Sequence, residues 1–183
     1  MRRLEKRRLK REEKRKRKRR DAEEKSAANP QALVKEAALN EYFAADGEAW
    51  KQVKDSEPAA ISTRPAPEAA LTVVASRDHA GPEVASIIDR VEADGRAVDA
   101  TSMGSSLKFC LVAEGAADFY PRTVPTFEWD TAAAQAVVEA AGGRVGTRAS
   151  DRLRYNKDDL RNPSVFAWGD PSLDWRRWLG DGG

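Results

Sequence analysis

After Met1, only Leu4 and Leu9 are apolar among the Arg, Lys, Glu and Asp that fill the chain up to Ala22. No apolar stripe forms there for packing on a core, so residues 1–27 read as a solvated helix or a disordered arm. The run ends near Asn29-Pro30, where proline disfavours helix for the residue before it. The pattern then changes. Leu39, Tyr42, Phe43, Asp46-Gly47, Ala49, Trp50 and Val53 predict two short strands joined by a turn. A Pro/Ala/Glu connector over 55–70 carries a short strand at Ala60–Thr63. Leu71–Ala75 is a compact apolar run followed by Ser76-Arg77-Asp78-His79, as when a buried strand delivers polar residues to its C-terminal end. Val84, Ile87, Ile88 and Val91 recur at three and four, predicting an amphipathic helix over 82–93 with Pro82 in its first turn and Asp94-Gly95 closing it. A weaker strand follows at Ala97–Ala100. A helix through Leu107–Val112 follows Gly104-Ser105-Ser106 and ends at Gly115. A strand at Asp118–Tyr120 is stopped by Pro121. An Ala-rich helix runs from Trp129 to Ala141, where Gly142-Gly143 stops it. Strand and helix signals alternate from residue 71 onward, so the class is α/β. Trp175, Trp178 and Leu179 form an amphipathic end segment, for which core packing is a simpler role than resting on a membrane surface.

The 183 residues suffice for one ordinary domain, and 40% hydrophobic content allows a sizeable core. The net charge of +2 conceals an asymmetry. Residues 1–20 hold 14 Lys/Arg against 3 Glu, a net of +11, which leaves −9 on the rest. The organisation expected is a basic low-complexity arm over 1–30, an α/β region over 39–174 and a tail over 175–183. No run of 18 apolar residues exists to span a membrane, and no apolar segment follows the N-terminal charges as in a secretory signal. Cys110 is the single cysteine and His79 the single histidine, which excludes an internal disulfide, a cysteine zinc site and a multi-histidine centre. A reducing cytosol is the expected compartment, with a peripheral position at the inner membrane face as the alternative.

Three segments carry candidate chemistry. Gly104-Ser105-Ser106 offers free N–H groups and hydroxyls at a helix start, which suits a phosphate, and Lys108 adds a point charge. Read alone, it is more simply a serine N-cap. Asp130 is an N-cap by the same argument, or a carboxylate ligand of Mg2+, a hard cation that takes oxygen donors. Ser76-Arg77-Asp78-His79 offers a ring to hydrogen-bond a ligand and a guanidinium to pair with phosphate, or simply a satisfied histidine and a surface arginine.

Together these stretches resemble a family. Val74-Ala75-Ser76-Arg77-Asp78-His79 is similar to a V-x-S-R-S-H stretch, with Asp78 in place of the usual serine. Gly104-Ser105-Ser106-Leu107-Lys108-Phe109-Cys110 matches a G-S-S-L-K-F-C run. Tyr120-Pro121-Arg122 and Trp129-Asp130-Thr131-Ala132-Ala133 follow in order, then Gly142-Gly143, Tyr155-Asn156-Lys157 and Asn162-Pro163. Residues 39–170 thus resemble the C-terminal part of the inositol monophosphatase superfamily, in its CysQ-type 3'(2'),5'-bisphosphate nucleotidase branch. The resemblance implies half of a layered α/β sandwich fold. It also implies Mg2+-dependent removal of the 3'-phosphate from 3'-phosphoadenosine 5'-phosphate, giving AMP, in sulfur assimilation. By position it assigns Asp130 to the metal, and Ser76, His79, Gly104, Ser105, Lys108 and Asp130 to the substrate. It assigns no catalytic residue.

The resemblance also implies further metal ligands, from a Glu-Glu pair and a D-P-x-D-G-T motif, upstream of the matching region. Glu12-Glu13 and Glu23-Glu24 lie in the charge run without that context. Asp170-Pro171-Ser172-Leu173-Asp174 is on the wrong side of Asp130 and lacks the Gly-Thr. The expectation is therefore a truncated or frame-shifted chain with impaired hydrolysis and exposed apolar faces. The alternatives are a nucleic-acid-binding protein acting through residues 1–20, with a strongly salt-dependent affinity, and a nucleotide-binding pseudo-enzyme.

Overall fold

The computed structural model describes residues 32–36, 40–75, 81–102, 106–149 and 152–180, and the account below is confined to these. Among them the strands form two main sheets. In the first, β1 (Ala32–Glu36), β2 (Asn40–Ala45), β3 (Glu48–Val53) and β4 (Ala59–Ile61) pair antiparallel in chain order. The β2–β3 hairpin pairs Ala45 with Glu48, leaving Asp46 and Gly47 as a two-residue loop, both at positive φ (55° and 82°). Asp-Gly is suited to this turn because its backbone twist matches that of the flanking strands. The connector strand is Ala59–Ile61, one residue earlier at its start and two at its end than its sequence pattern suggests.

The second sheet has the order β6-β5-β7-β11-β9. Its members are β5 (Ala70–Ala75), β6 (Ala97–Ser102), β7 (Phe119–Arg122), β9 (Arg144–Thr147) and β11 (Val165–Trp168). β5 runs parallel to β6 and β7, while β11 is antiparallel to both β7 and β9. The parallel β5–β6 connection is made by α1 (Pro82–Ala93), whose Val84, Ile87 and Val91 are buried as the three-and-four spacing requires.

One expectation is corrected here. Pro121 does not stop its strand; β7 runs through it to Arg122, with Pro121 opposite Phe166 of β11. β5 and β7 share a single register point, Val73 with Phe119, so past it no partner on that side calls on an N–H that proline lacks.

The helices α2 (Leu107–Ala113) and α3 (Glu128–Ala140) lie between the two sheets. One core joins Tyr42, Ala44 and Ala49 of the first sheet, Phe109, Cys110, Val112, Val137 and Val138 of the helices, and Tyr120, Val145 and Val165 of the second sheet. A second core, on the other face of that sheet, gathers Leu71, Val73, Ile87, Val91, Phe119 and Phe166 around Trp175 and Trp178. These two tryptophans form a 3-10 turn (Trp175–Trp178), and Trp175 packs 4.6 Å from Phe166, centre to centre. The amphipathic end segment therefore packs into the core. The layers run sheet, helices, sheet, helix, the layered sandwich its alternating pattern and resemblance imply.

Gly143 makes the tight exit from α3. A Cβ there would lie 2.8 Å from the Trp168 carbonyl oxygen and 2.9 Å from Val138 Cγ1. At the level of β7, Asp118 is buried and accepts hydrogen bonds from Arg64 Nε (2.8 Å), Arg64 NH2 (2.9 Å) and the Thr72 amide (2.8 Å), tying the connector to the sheet. Asp170, rejected above as a metal ligand, accepts the Ala66 and Ser172 amides at 2.9 and 2.8 Å.

Candidate functional site

The end of β7 and the first turns of α2 and α3 converge on a cleft of about 570 Å³. Strand alternation explains one wall. Phe119 points into the second core and Tyr120 into the first, so Arg122, two residues on, shares the Tyr120 face. Lys108, in the first turn of α2, comes from the opposite wall. Its ammonium lies 5.4 Å from the centre of the Tyr120 ring, which meets Phe109 edge-on at 4.9 Å. Lys108 is 1% exposed, and its burial, with the charge of Arg122 second, lowers its pKa below the usual lysine value. Burial pushes the Tyr120 phenol up, while Arg122 acts in the opposite direction. The Nε of Arg122 is buried and finds no hydrogen-bond partner among the described residues. A buried donor of this kind is costly unless something accepts from it. Lys108 and Arg122 both line the cleft, and two cationic side chains there make a receptor for an anion with several oxygens, as a phosphate monoester has.

The lip of the cleft is aromatic. Phe127, which closes β8 (Thr126–Phe127), and Trp129, at the start of α3, stack at 4.6 Å with their planes 6° apart. Trp129 is 65% exposed, the most open large apolar side chain among the described residues. A flat, solvent-facing ring beside an anion receptor suits a ligand with a planar group attached to its phosphate.

Asp130 is not the N-cap of α3. Phe127 occupies that position, and Asp130 is three residues on, reaching back to accept the Phe127 amide through Oδ2 at 2.8 Å. This is the returning half of a capping box. Its Oδ1 accepts no hydrogen bond among the described residues, and Asp130 lines the cleft. Ser106 stands at the N-cap of α2, but its hydroxyl makes no capping bond; its carbonyl accepts the Phe109 amide at 3.1 Å. The simpler cap readings at both helices are thus corrected: the carboxylate caps from inside its helix, and the serine side chain does not cap.

A dense polar network lies under the α3 start. Glu128 accepts the amides of Asn156 (2.8 Å) and Lys157 (3.1 Å) and the Lys157 ammonium at 2.6 Å. The Lys157 bond leads, and burial opposes it, in holding this carboxyl below its usual pKa. Asn162, in β10 (Arg161–Asn162), is buried against Thr126, Phe127 and Thr131. Tyr155 reaches Thr131 and Gln135 at 3.3 and 2.6 Å.

Of the six site residues named from the sequence, Lys108 and Asp130 line one cleft. Ser76, His79, Gly104 and Ser105 lie outside the described residues, as does the arm over 1–30. Arg122 and Trp129 lie within the Tyr-Pro-Arg and Trp-Asp-Thr motifs, which assign neither a role. The two-residue alternation from buried Tyr120 would have placed Arg122 on the same face. Phe127 and the Glu128–Lys157 pair carried no signal.

Mg2+ prefers near-octahedral oxygen coordination with one or two carboxylates and several waters or substrate oxygens. Among the described residues no three Asp, Glu, His or Cys side chains cluster so as to hold a metal. Asp130 offers one oxygen while the other caps a helix. These residues do not form a complete cation site by themselves.

No helix of the described residues is long and apolar enough to cross a membrane. The inositol monophosphatase family matches residues 26–170. The 3'(2'),5'-bisphosphate nucleotidase CysQ of Escherichia coli K12 is 40% identical over 132 residues, covering 67% of this chain and 47% of that protein. Among solved structures, CysQ from Bacteroides thetaiotaomicron superimposes with a TM-score of 0.61 at 38% identity, over 71% of this chain and 54% of that one. An inositol monophosphatase from Zymomonas mobilis follows the same fold, with a TM-score of 0.51 at 25% identity, over 81% and 59%. The chain spans about half the length of these two CysQ proteins.

Proposed function

The chain belongs to the inositol monophosphatase family, and from that premise we propose that its cleft binds the phosphate of a 3'(2'),5'-bisphosphate nucleotide, such as 3'-phosphoadenosine 5'-phosphate, for hydrolysis of the phosphate monoester. The observation that carries this reading is the pair of cationic side chains, Lys108 and Arg122, lining one cleft rimmed by the exposed Phe127–Trp129 stack. Lys108 and Arg122 neutralise the phosphoryl oxygens and fix their direction. The water-poor setting strengthens both interactions relative to bulk solvent. Trp129 offers its open face to the base, so the nucleotide is held at both ends and the scissile bond is positioned between them.

Asp130 brings one carboxylate oxygen to the cleft. Phosphoryl transfer in this setting calls on more negative ligands than one, because a lone carboxylate neither fixes a divalent ion nor orients a water. On this reading the chain binds the nucleotide with little turnover, and among the described residues Asp130 is the carboxylate at the cleft that a Mg2+ site, which calls on further carboxylates, would use.

Calorimetric titration with 3'-phosphoadenosine 5'-phosphate, run beside a phosphate-release assay with Mg2+, tests this. Binding that is lost in Arg122→Met, with slow or no release, is the expected result. Absence of binding overturns the site assignment. Release at an ordinary enzymatic rate, abolished by Asp130→Asn, overturns the statement that the chain alone turns over little.

A further inference from the structure

Buried polar side chains concentrate under one point of the fold. Among the described residues the buried polar or charged ones are Lys108, Asp118, Glu128, Thr131, Gln135 and Asn162, and four of these belong to the network beneath the first turns of α3. Polar groups taken out of water need hydrogen-bond partners, and a core built of them is less stable than an apolar one unless every member is satisfied. α3 does not need this network for its own packing, since Ala134, Val137 and Val138 already bury its apolar face. What the network does hold is the segment 126–131.

Asn162 is at its centre. Its two amide N–H groups are shared among three acceptors: Thr126 Oγ1 at 3.2 Å, the Phe127 carbonyl at 2.9 Å and Thr131 Oγ1 at 3.0 Å. Its own carbonyl oxygen faces the Lys157 ammonium at 3.4 Å, and that ammonium is clamped to Glu128. Residue 127 is therefore gripped through its own carbonyl and through the side chain before it. The amide of this same residue donates to Asp130 Oδ2 at 2.8 Å. Asn162 lies 32 positions from Asp130 in the chain, and none of its hydrogen bonds among the described residues reaches that carboxylate.

We infer that Asn162 is a positioning residue for Asp130: by fixing residue 127 it fixes the amide that holds the Asp130 carboxylate, so that one oxygen is committed to the helix and the other is turned to the cleft. The functional meaning of that orientation rests on the site proposed above; the coupling itself does not. Lys157 and Glu128 act one step further out, holding the Asn162 carbonyl and the start of α3.

Amide hydrogen exchange resolved by residue tests the coupling without hydrolysis or a bound ion, so its outcome is independent of whether the chain is a phosphatase. In Asn162→Ala the Phe127 amide is expected to exchange faster by on the order of five- to tenfold, the loss of about one hydrogen bond. Amides of Phe119, Phe166 and Val165 in the adjoining sheet keep their wild-type protection. Asp130→Ala is expected to accelerate Phe127 alone, and adding Asn162→Ala to it produces little more, as expected for two residues acting on one bond. If Asn162→Ala does not fold, the milder Asn162→Ser keeps one donor and is expected to give a smaller acceleration at the same amide. Unchanged Phe127 exchange in the folded variant overturns the inference. So does uniform acceleration across Phe119, Phe166 and Phe127, which marks a merely structural role, or full additivity in the double variant.

Discussion

The Lys108 ammonium stands over the face of Tyr120, 5.4 Å from the ring centre, on a fully buried side chain. A cation held there costs desolvation free energy that a bound anion offsets. Its lowered pKa means that the unfolded chain binds this proton more tightly than the folded one. The native state thus carries a penalty at neutral pH that lessens as pH rises from the lowered native value towards about 10.4, the unfolded lysine value. Lys108→Met is expected to remove this pH-dependent penalty, flattening the change of stability between about pH 7 and pH 10, while weakening phosphate binding about tenfold or more. Melting temperature and calorimetric affinity measured on the same sample check both halves. A large loss of stability with intact phosphate affinity contradicts the assignment.

Arg122 lines the cleft from the end of β7, so its replacement is expected to act on phosphate binding. Arg122→Met is expected to lower affinity for a phosphate monoester by about ten- to a hundredfold, the range for one charge-assisted hydrogen bond. Arg122→Lys restores little of it, because an ammonium does not present the guanidinium fork. Titration with AMP against each variant reads this directly, and recovery of full affinity in the lysine variant contradicts it.

Trp129 separates the base from the phosphate. Trp129→Ala is expected to weaken nucleotide binding by about five- to a hundredfold, as for a lost aromatic stack. Affinity for inorganic phosphate, which has no ring, stays within a factor of about two. Equal losses for both ligands indicate that Trp129 shapes the cleft instead of stacking.

The Glu128–Lys157 pair gives an acid-side prediction. Its carboxyl is held below the usual value first by the Lys157 bond and then by two backbone amides, against the effect of burial. A depressed carboxyl contributes stability that is fully present above the unfolded value of about 4.3 and is lost as pH falls through the native one. Melting temperatures from pH 6 to pH 3 are expected to fall less steeply for Glu128→Gln than for the wild type in that interval, with the variant already less stable at pH 6. Parallel curves contradict the prediction.

Gly143 offers a packing test remote from the cleft. Gly143→Ala places a Cβ 2.8 Å from the Trp168 carbonyl, a backbone atom fixed in the β11–β7 ladder. The substitution is expected to cost about 1–3 kcal/mol of stability, as overpacking does, while leaving AMP affinity within a factor of about two once the protein is folded. Chemical denaturation and calorimetry check the pair.

Much of the local structure was legible along the chain. The Asp46-Gly47 hairpin, the Pro82–Ala93 helix and the strand at Leu71–Ala75 each follow from a short-range rule of turn chemistry or periodicity, and each stands at or within a residue or so of its expected place. The Pro121 strand stop was overturned because only the neighbouring strands decide whether a missing N–H is needed. Asp130 has the residue type of an N-cap but acts from three residues inside, since Phe127, which holds that position, is not a residue type that announces one.

The sequence by itself determined the element types, the family and two members of the cleft, Lys108 and Asp130, because helix periodicity, strand runs and long motif identities are properties of neighbouring residues. The tertiary structure alone decided that Arg122 shares that cleft with Lys108, that Phe127 and Trp129 form its lip, and that Asn162 governs the segment holding Asp130. Each of those relationships joins residues from separate elements, and it exists only once strand order β6-β5-β7-β11-β9 and the helices packed on it bring them within hydrogen-bonding or stacking distance.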